Sequence, residues 1–265
     1  MCLAVVALDA HPRFSLVVVA NRDEAHARPT RAAHWWPRDA GPPVFGGRDL
    51  AAGGTWLALA RHGRWAFVTN VREPGRNDPA APSRGALVLR VIDDPRPVAE
   101  ALAAAGEDPR YNGYNLIAGD VSRAAWTSNR APGPRALAAG VHGVSNAALD
   151  TPWPKLLRVQ RGVEAWIADG SEDVAPLFDL LADRTIAPDD ALPSTGVPLA
   201  LERRLSAAFI LSPHYGTRAS TVVTIARDGS ARFHERSFDA DGRATGDVVE
   251  RFVLAPGGVP PPAPR

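Results

Sequence analysis

The sequence predicts an α+β fold of antiparallel sheets covered by helices, and three observations carry that prediction. Strand-like runs come as hairpins at both ends of the chain. Amphipathic helical patterns cluster between them. No stretch alternates strand and helix in the βαβ order that a parallel sheet requires. The chain has 265 residues, 45% hydrophobic and 22% charged, enough for one sizeable core. No composition break or internal repeat divides it, so residues 1–255 read as a single domain. The Pro- and Gly-rich residues 256–265 read as a disordered tail.

Each element follows from local pattern. Leu3–Leu8 and Phe14–Ala20 are almost continuously apolar and flank the turn cluster Asp9-Ala10-His11-Pro12, which predicts a hairpin buried on both faces. It ends in Asn21-Arg22-Asp23-Glu24, where polar groups follow a buried strand and so need partners. Residues Ala25–Asp49 carry Arg28-Pro29-Thr30, Trp35-Trp36-Pro37 and Gly41-Pro42-Pro43 and read as a long functional loop packed by its tryptophans. Trp56–Ala60 and Trp65–Thr69 form a second hairpin closed by Asn70. Ser83 is placed to cap a helix over Arg84–Ile92, and Pro97–Ala105 forms another, ended by Gly106. Strands follow at Tyr114–Ala118, Ala124–Ser128 and Gly140–Asn146. Leu156, Val159, Val163, Trp166 and Ile167 keep helical spacing after Pro152-Trp153-Pro154. Shorter helices fit Val174–Ala182 and Leu199–Phe209. The chain returns to strands at Thr221–Ala226, Ala231–Phe238 and Gly246–Leu254.

Composition excludes several classes. Thirty basic and 29 acidic residues leave a formal charge of +1, which asks for neither nucleic acid nor an anionic membrane as partner. One cysteine allows no internal disulfide and no cysteine-cluster zinc site. The seven histidines lack metal-ligand spacing, so no metal site is expected. Gly53-Gly54-Thr55 lacks the lysine of a phosphate loop. The start of the chain has no signal-peptide pattern, and no apolar run approaches the roughly 18–20 residues of a membrane span. A soluble, cytoplasmic protein without a required cofactor is expected.

The lone cysteine is Cys2, directly after Met1. Removal of Met1 leaves a residue with both a thiol and a free α-amino group. With an amine pKa of about 7.7–8.0 and a thiol near about 8.5, that residue is a nucleophile and a base in one. The alternative is a small buried hydrophobe without chemistry.

A set of ordered motifs bears on that choice. Met1-Cys2, Asn21-Arg22-Asp23-Glu24, Arg28-Pro29-Thr30, Gly53-Gly54-Thr55-Trp56, Val68-Thr69-Asn70, Ser83-Arg84-Gly85, Tyr111-Asn112-Gly113-Tyr114-Asn115-Leu116, Ser145-Asn146-Ala147, Pro152-Trp153-Pro154-Lys155 and Tyr215-Gly216-Thr217-Arg218 occur in this sequence order. The set resembles the NRDE protein family, also known as the transport and Golgi organisation protein two family. That family is similar to N-terminal nucleophile hydrolases of the choloylglycine hydrolase and penicillin V acylase branch. The resemblance implies a four-layer αββα sandwich. It implies Cys2 as nucleophile, with Arg22 and Asp23 flanking it and Glu24 as a substitute for Asp23. It also implies Asn70 as an oxyanion donor, Asn146 as a positioning group and Arg218 as a further site arginine.

The activity so implied is hydrolysis of a linear C–N amide bond through a thioester on Cys2. The resemblance also implies an alternative, a non-catalytic carrier of haem or another hydrophobic acyl or lipid ligand. The partner is accordingly a small-molecule amide or a hydrophobic ligand. Trp35 and Trp36, in the long loop, are expected with Glu24 to line the pocket mouth.

Overall fold

The computed structural model describes residues 3–121 and 123–255; Cys2 and the tail from Pro256 lie outside the described residues. The elements are β1 (Leu3–Leu8), β2 (Phe14–Ala25), β3 (Thr30–Trp35), β4 (Val44–Asp49), β5 (Leu57–Ala60), β6 (Trp65–Asn70), α1 (Gly85–Asp93) and α2 (Val98–Gly106). They continue with β7 (Tyr114–Gly119), β8 (Ala124–Ser128), β9 (Arg135–Ala136), β10 (Gly140–Val144), α3 (Pro154–Ala168), α4 (Ala175–Leu181) and α5 (Leu199–Leu205). The chain closes with β11 (Tyr215–Ala226), β12 (Ser230–Phe238) and β13 (Ala244–Val253).

Two antiparallel sheets result. The first has the order β10-β1-β2-β11-β12-β13 and the second runs from β3 to β9 in sequence order. Strand alternation sorts the side chains into layers. Ala4, Val6, Leu16, Val18, Val223 and Phe233 of the first sheet meet Phe45, Leu57, Leu59, Phe67 and Ile117 of the second between the sheets. The opposite face of the first sheet, with Leu3, Val5, Val17 and Val19, packs on Leu156, Val159 and Val163 of α3 and Leu177 of α4. The outer face of the second, with Val44, Ala58, Ala66 and Leu116, packs on Leu87 and Val91 of α1 and Leu102 of α2. The predicted αββα sandwich is the observed fold. The apolar runs of β1 and β2 are explained by it, since both of their faces are buried.

Two sequence readings are corrected. The segment Ala25–Asp49 is not one irregular loop, because β3 and β4 pair as a hairpin at the edge of the second sheet. A bulge hides the strand period there: Arg31 pairs with Arg48 and His34 with Gly46, so Ala32 and Ala33 oppose Gly47 alone. The strand predicted at Phe14–Ala20 also does not end there, because the polar run Asn21-Arg22-Asp23-Glu24 remains in strand. The run continues β2, paired with β11 from Tyr215 onward. Tertiary hydrogen bonds, developed below, keep these charged residues in a strand.

Candidate active site

The site is built where the described chain begins. Leu3 pairs with Asn21 on one side, and Ala4 pairs with Val144 on the other. The strand ends beside it therefore carry Asn21–Glu24 and Ser145-Asn146. Alternation along β2 sends Asn21 and Asp23 toward the helix layer and Arg22 and Glu24 toward the second sheet.

Asn21 is fully buried and saturated. Its Nδ2 donates to the carbonyls of Leu181 and Ala208, both at 2.8 Å, and its Oδ1 accepts from Ser220 Oγ at 2.6 Å. Asp23 is 3% exposed, and its Oδ1 accepts from Thr217 Oγ1 at 2.6 Å. The same hydroxyl accepts from the Ile210 amide at 2.9 Å, which fixes its orientation.

Arg22 is also 3% exposed. Its guanidinium lies over the Trp56 ring at 4.4 Å, donates to Thr30 Oγ1 at 3.0 Å, and stands 3.6 Å from Asp49 and 3.9 Å from Glu24. Burial lowers its pKa, and Glu24 and Asp49 work against that. The residue stays cationic, as a guanidinium does in proteins. Asp49 is the hub of this network. It accepts from Arg28 Nε at 2.6 Å and from the amides of Ala51 and Ala52 at 3.0 and 3.1 Å. Burial pushes its carboxyl up, but the hydrogen bonds from Arg28 and Ala52 outweigh that and hold it below the usual carboxylate range.

From the second sheet, β6 delivers Asn70. Asn146 Nδ2 donates to the Asn70 carbonyl at 2.9 Å, and the Arg72 amide donates to the Asn146 carbonyl at 2.8 Å. Two clefts meet at Asn70. One, of about 350 Å³, is polar and is lined by Arg22, Glu24, Arg28, Asp49, Asn70 and Arg84 among others. The other, of about 420 Å³, is largely apolar and is lined by Val71, Pro74, Val197, Leu201, Leu205 and Ile210 together with Asn70, Arg84 and Asn146. Asn70, Asn77 and Arg84 border both.

The glycine motifs set the rim of the polar cleft. A β-carbon on Gly85 would stand 2.9 Å from the Thr55 carbonyl, and one on Gly54 would stand 2.6 Å from the Gly85 carbonyl carbon. Only glycines let the start of α1 approach β5 so closely, and this brings Arg84 to the cleft. Ser83 Oγ accepts from the Gly85 amide at 3.4 Å, a weak contact in place of the expected helix cap.

The structure thus brings Arg22, Glu24, Asn70 and Asn146 to the two clefts and puts Asp23 directly behind them. Arg218 lines neither cleft, but its charge acts on Arg22 and helps lower that residue's pKa. It is the extra residue of a bulge in β11, and its guanidinium donates to the carbonyls of Ala25, His26 and Arg28. It shapes the turn after β2. Trp35 and Trp36 line neither cleft, against expectation. Trp35 packs on Phe45 and Phe252 and donates to Glu250, and Trp36 is buried with its Nε1 on the Gly46 carbonyl at 2.8 Å. Hairpin formation turns both rings into packing groups.

Sequence reasoning gave no role to Thr217, Asp49 or Asn115. Asn115 Nδ2 donates to Thr69 Oγ1 and to the Ala147 carbonyl, and its Oδ1 accepts from Trp126 Nε1, so it anchors the Asn146 loop to the second sheet. Its signal was present in the motif Tyr114-Asn115-Leu116, as Thr217's was in Tyr215-Gly216-Thr217-Arg218. Among the described residues no group of three or more His, Cys, Asp or Glu is arranged to hold a metal ion.

The fold is a four-layer αββα sandwich of two antiparallel sheets flanked by helices. A variant of conjugated bile acid hydrolase from Clostridium perfringens superposes on it with a TM-score of 0.52, over 98% of this chain and all of that one, at 12% identity. That likeness is one of fold alone. Residues 1–240 match the family described as Transport and Golgi organisation 2, and the chain belongs to that family. The Transport and Golgi organization protein 2 homologs of Bos taurus and Homo sapiens are 34% and 32% identical to it. Both alignments cover 89% of this chain and 93% of the relative.

Proposed function

We propose that the protein is a cysteine hydrolase of linear amides, with Cys2, freed of Met1, as nucleophile. One observation carries the reading. Arg22, Asp23, Asn70 and Asn146 come from three distant stretches of sequence, and they gather at the end of the first sheet, beside Leu3 at the start of β1.

The chemistry assigned to them is as follows. The α-amine takes the thiol proton, directly or through a water, and the thiolate attacks the amide carbon. Arg22 favours the thiolate, and Asn70 donates to the oxygen as it gains charge. The C–N bond breaks, the leaving nitrogen takes the proton from the α-ammonium, and a thioester remains on Cys2. Water, deprotonated by the α-amine, attacks the thioester; the carboxylic acid leaves and the thiol is restored. The paired clefts favour a substrate with a polar arm and an apolar arm joined near Asn70.

The test begins with intact mass of protein purified from its own host, where loss of one methionine is expected. Purified protein is then assayed on N-acyl aminocoumarin amides of increasing acyl length, with Cys2→Ala as control. Turnover that survives Cys2→Ala overturns the reading.

The apolar cleft supports a second reading, a carrier of a hydrophobic ligand. For haem the fit is poor there. Among the described residues that line this cleft, Tyr215 is the one side chain of a type that ligates haem iron; there is no histidine, methionine or cysteine. An acyl or lipid chain suits the lining better. Saturable binding of a fatty acid by a chain without turnover on any amide favours the carrier.

A further inference from the structure

Among the mostly aliphatic and aromatic side chains between the sheets, a carboxyl group projects from β12. Glu235 is 1% exposed and alternates with Ala231 and Phe233, which face the same layer. A carboxylate is costly in such a place unless it is matched or protonated.

Its surroundings are specific. Oε1 accepts from the Ala33 amide at 2.7 Å, a donor available because of the bulge in β3. Oε2 lies 3.4 Å from Thr221 Oγ1, and Thr221 is the cross-strand partner of Glu235. Where a β-carbon on Gly47 would stand, the Trp56 ring is 2.1 Å away and Glu235 Oε2 is 3.2 Å away, so carboxyl and indole close on one gap. The same indole carries the Arg22 guanidinium. Thr221 also pairs with Ala20, two residues before Arg22 on the same face of β2. Arg22 is thus the charged group that acts on Glu235, while Ala33, Thr221, Gly47 and Trp56 face it with neutral groups. Asp49, Glu24 and Arg28 are connected to it through Arg22. Burial pushes the carboxyl up to about 7, against the Ala33 amide, Thr221 and Arg22.

We propose that Glu235 is a positioning residue for the candidate active site: by exchanging a proton with solvent, its buried carboxyl sets how much of the Arg22 charge is available at the start of β1. The inference rests on the reading in which Arg22 supports the Cys2 thiolate. With Glu235 protonated, Arg22 is offset only by Asp49 and Glu24, and the thiolate is favoured. With Glu235 ionised, part of the Arg22 charge is neutralised by a carboxylate near the same Trp56 ring, and the thiolate is less favoured.

Cys2 is the sole cysteine, so its alkylation by iodoacetamide reads one residue. In the wild-type chain the pH profile of that rate should show a second ionisation in the neutral range. Glu235→Gln keeps an acceptor for the Ala33 amide and cannot ionise. Its profile should follow a single ionisation, with a rate several-fold above wild type at pH 8. Superimposable profiles from two folded proteins overturn the proposal.

Carboxyl NMR on 13C-glutamate-labelled protein gives an independent decision if the variant does not fold. One glutamate should titrate near neutrality, and its midpoint should rise in Arg22→Gln; an unmoved midpoint overturns the proposal. If Cys2 reacts at the rate of an unfolded-chain thiol at every pH, the hydrolase reading fails, and the NMR shift still decides whether Glu235 and Arg22 are coupled.

Discussion

Asn146 Nδ2 donates to the main-chain oxygen of Asn70 at 2.9 Å, and this bond ties the first sheet to the second at the point where the two clefts meet. The returning bond from the Arg72 amide to the Asn146 carbonyl closes the pair. Arg72 then reaches Glu202 at 2.7 Å and lies over the Trp153 ring at 4.8 Å, linking the wall of the apolar cleft to the start of α3. Asn146→Ala removes the side-chain bond from a buried position. It is expected to cost about 1–2 kcal/mol in urea unfolding. If the cysteine hydrolase reading holds, Asn70→Ala should leave stability nearly unchanged yet lower amide turnover about 100-fold, the effect of losing one oxyanion donor.

Thr217 holds Asp23 through a hydroxyl that donates to one partner and accepts from another. Thr217→Val keeps the shape and removes both bonds, leaving a buried carboxylate oxygen and the buried Ile210 amide each without that partner. A loss of about 2–3 kcal/mol is expected, measured by chemical denaturation, because buried polar groups that lose a hydrogen bond cost more than the bond's net value. Thr217→Ser restores the hydroxyl and should recover most of the loss. Failure of serine to recover it would show that the methyl group carries the effect.

Much of this architecture was legible in sequence, and the parts that were not share a physical cause. Apolar period gave β1, the core of β2, and α3, since these elements bury whole faces. The extension of β2 through Arg22 and Asp23 was hidden, because charge in a strand is accommodated by partners more than 20 residues away, such as Asp49 and Thr217. The hairpin of β3 and β4 was hidden by its bulge and by Pro42-Pro43. Asn70 and Asn146 were legible only as motif members. Nothing local to either residue announces a bond across 76 positions. Arg218 follows only from the family resemblance; nothing local in the sequence signals the bulge that turns its guanidinium toward three carbonyls beside Arg22.

Asp49 makes the ion network acid-sensitive in a defined direction. Its folded pKa lies below the ordinary value, so the stability it contributes is present above the unfolded pKa and is lost as pH falls through the folded one. Asp49→Asn should therefore be less stable than wild type at pH 6, and the gap should close as pH is lowered toward 2. Paired thermal melts across that range measure it. A gap that stays constant with pH would assign the loss to packing of the 49–54 turn instead of to charge.

Glu235 works with the opposite sign. Its carboxyl is pushed from 4.5 up to about 7 in the folded chain, so the folded state holds a proton that the unfolded state has already released. Its contribution is fully present below the unfolded pKa and declines as pH rises toward the folded one, by about 3 kcal/mol in total for a shift of this size. Glu235→Gln carries no such term. The difference in unfolding free energy between the two proteins, measured in urea from pH 4 to pH 8, should move in favour of the variant through this window and level off above it. Taking the difference removes the titration common to both chains, notably that of the histidines. A flat difference would mean that Glu235 is already ionised at pH 5, with its charge held by Arg22; a rise confined to this window identifies the buried acid between the sheets as the group that titrates.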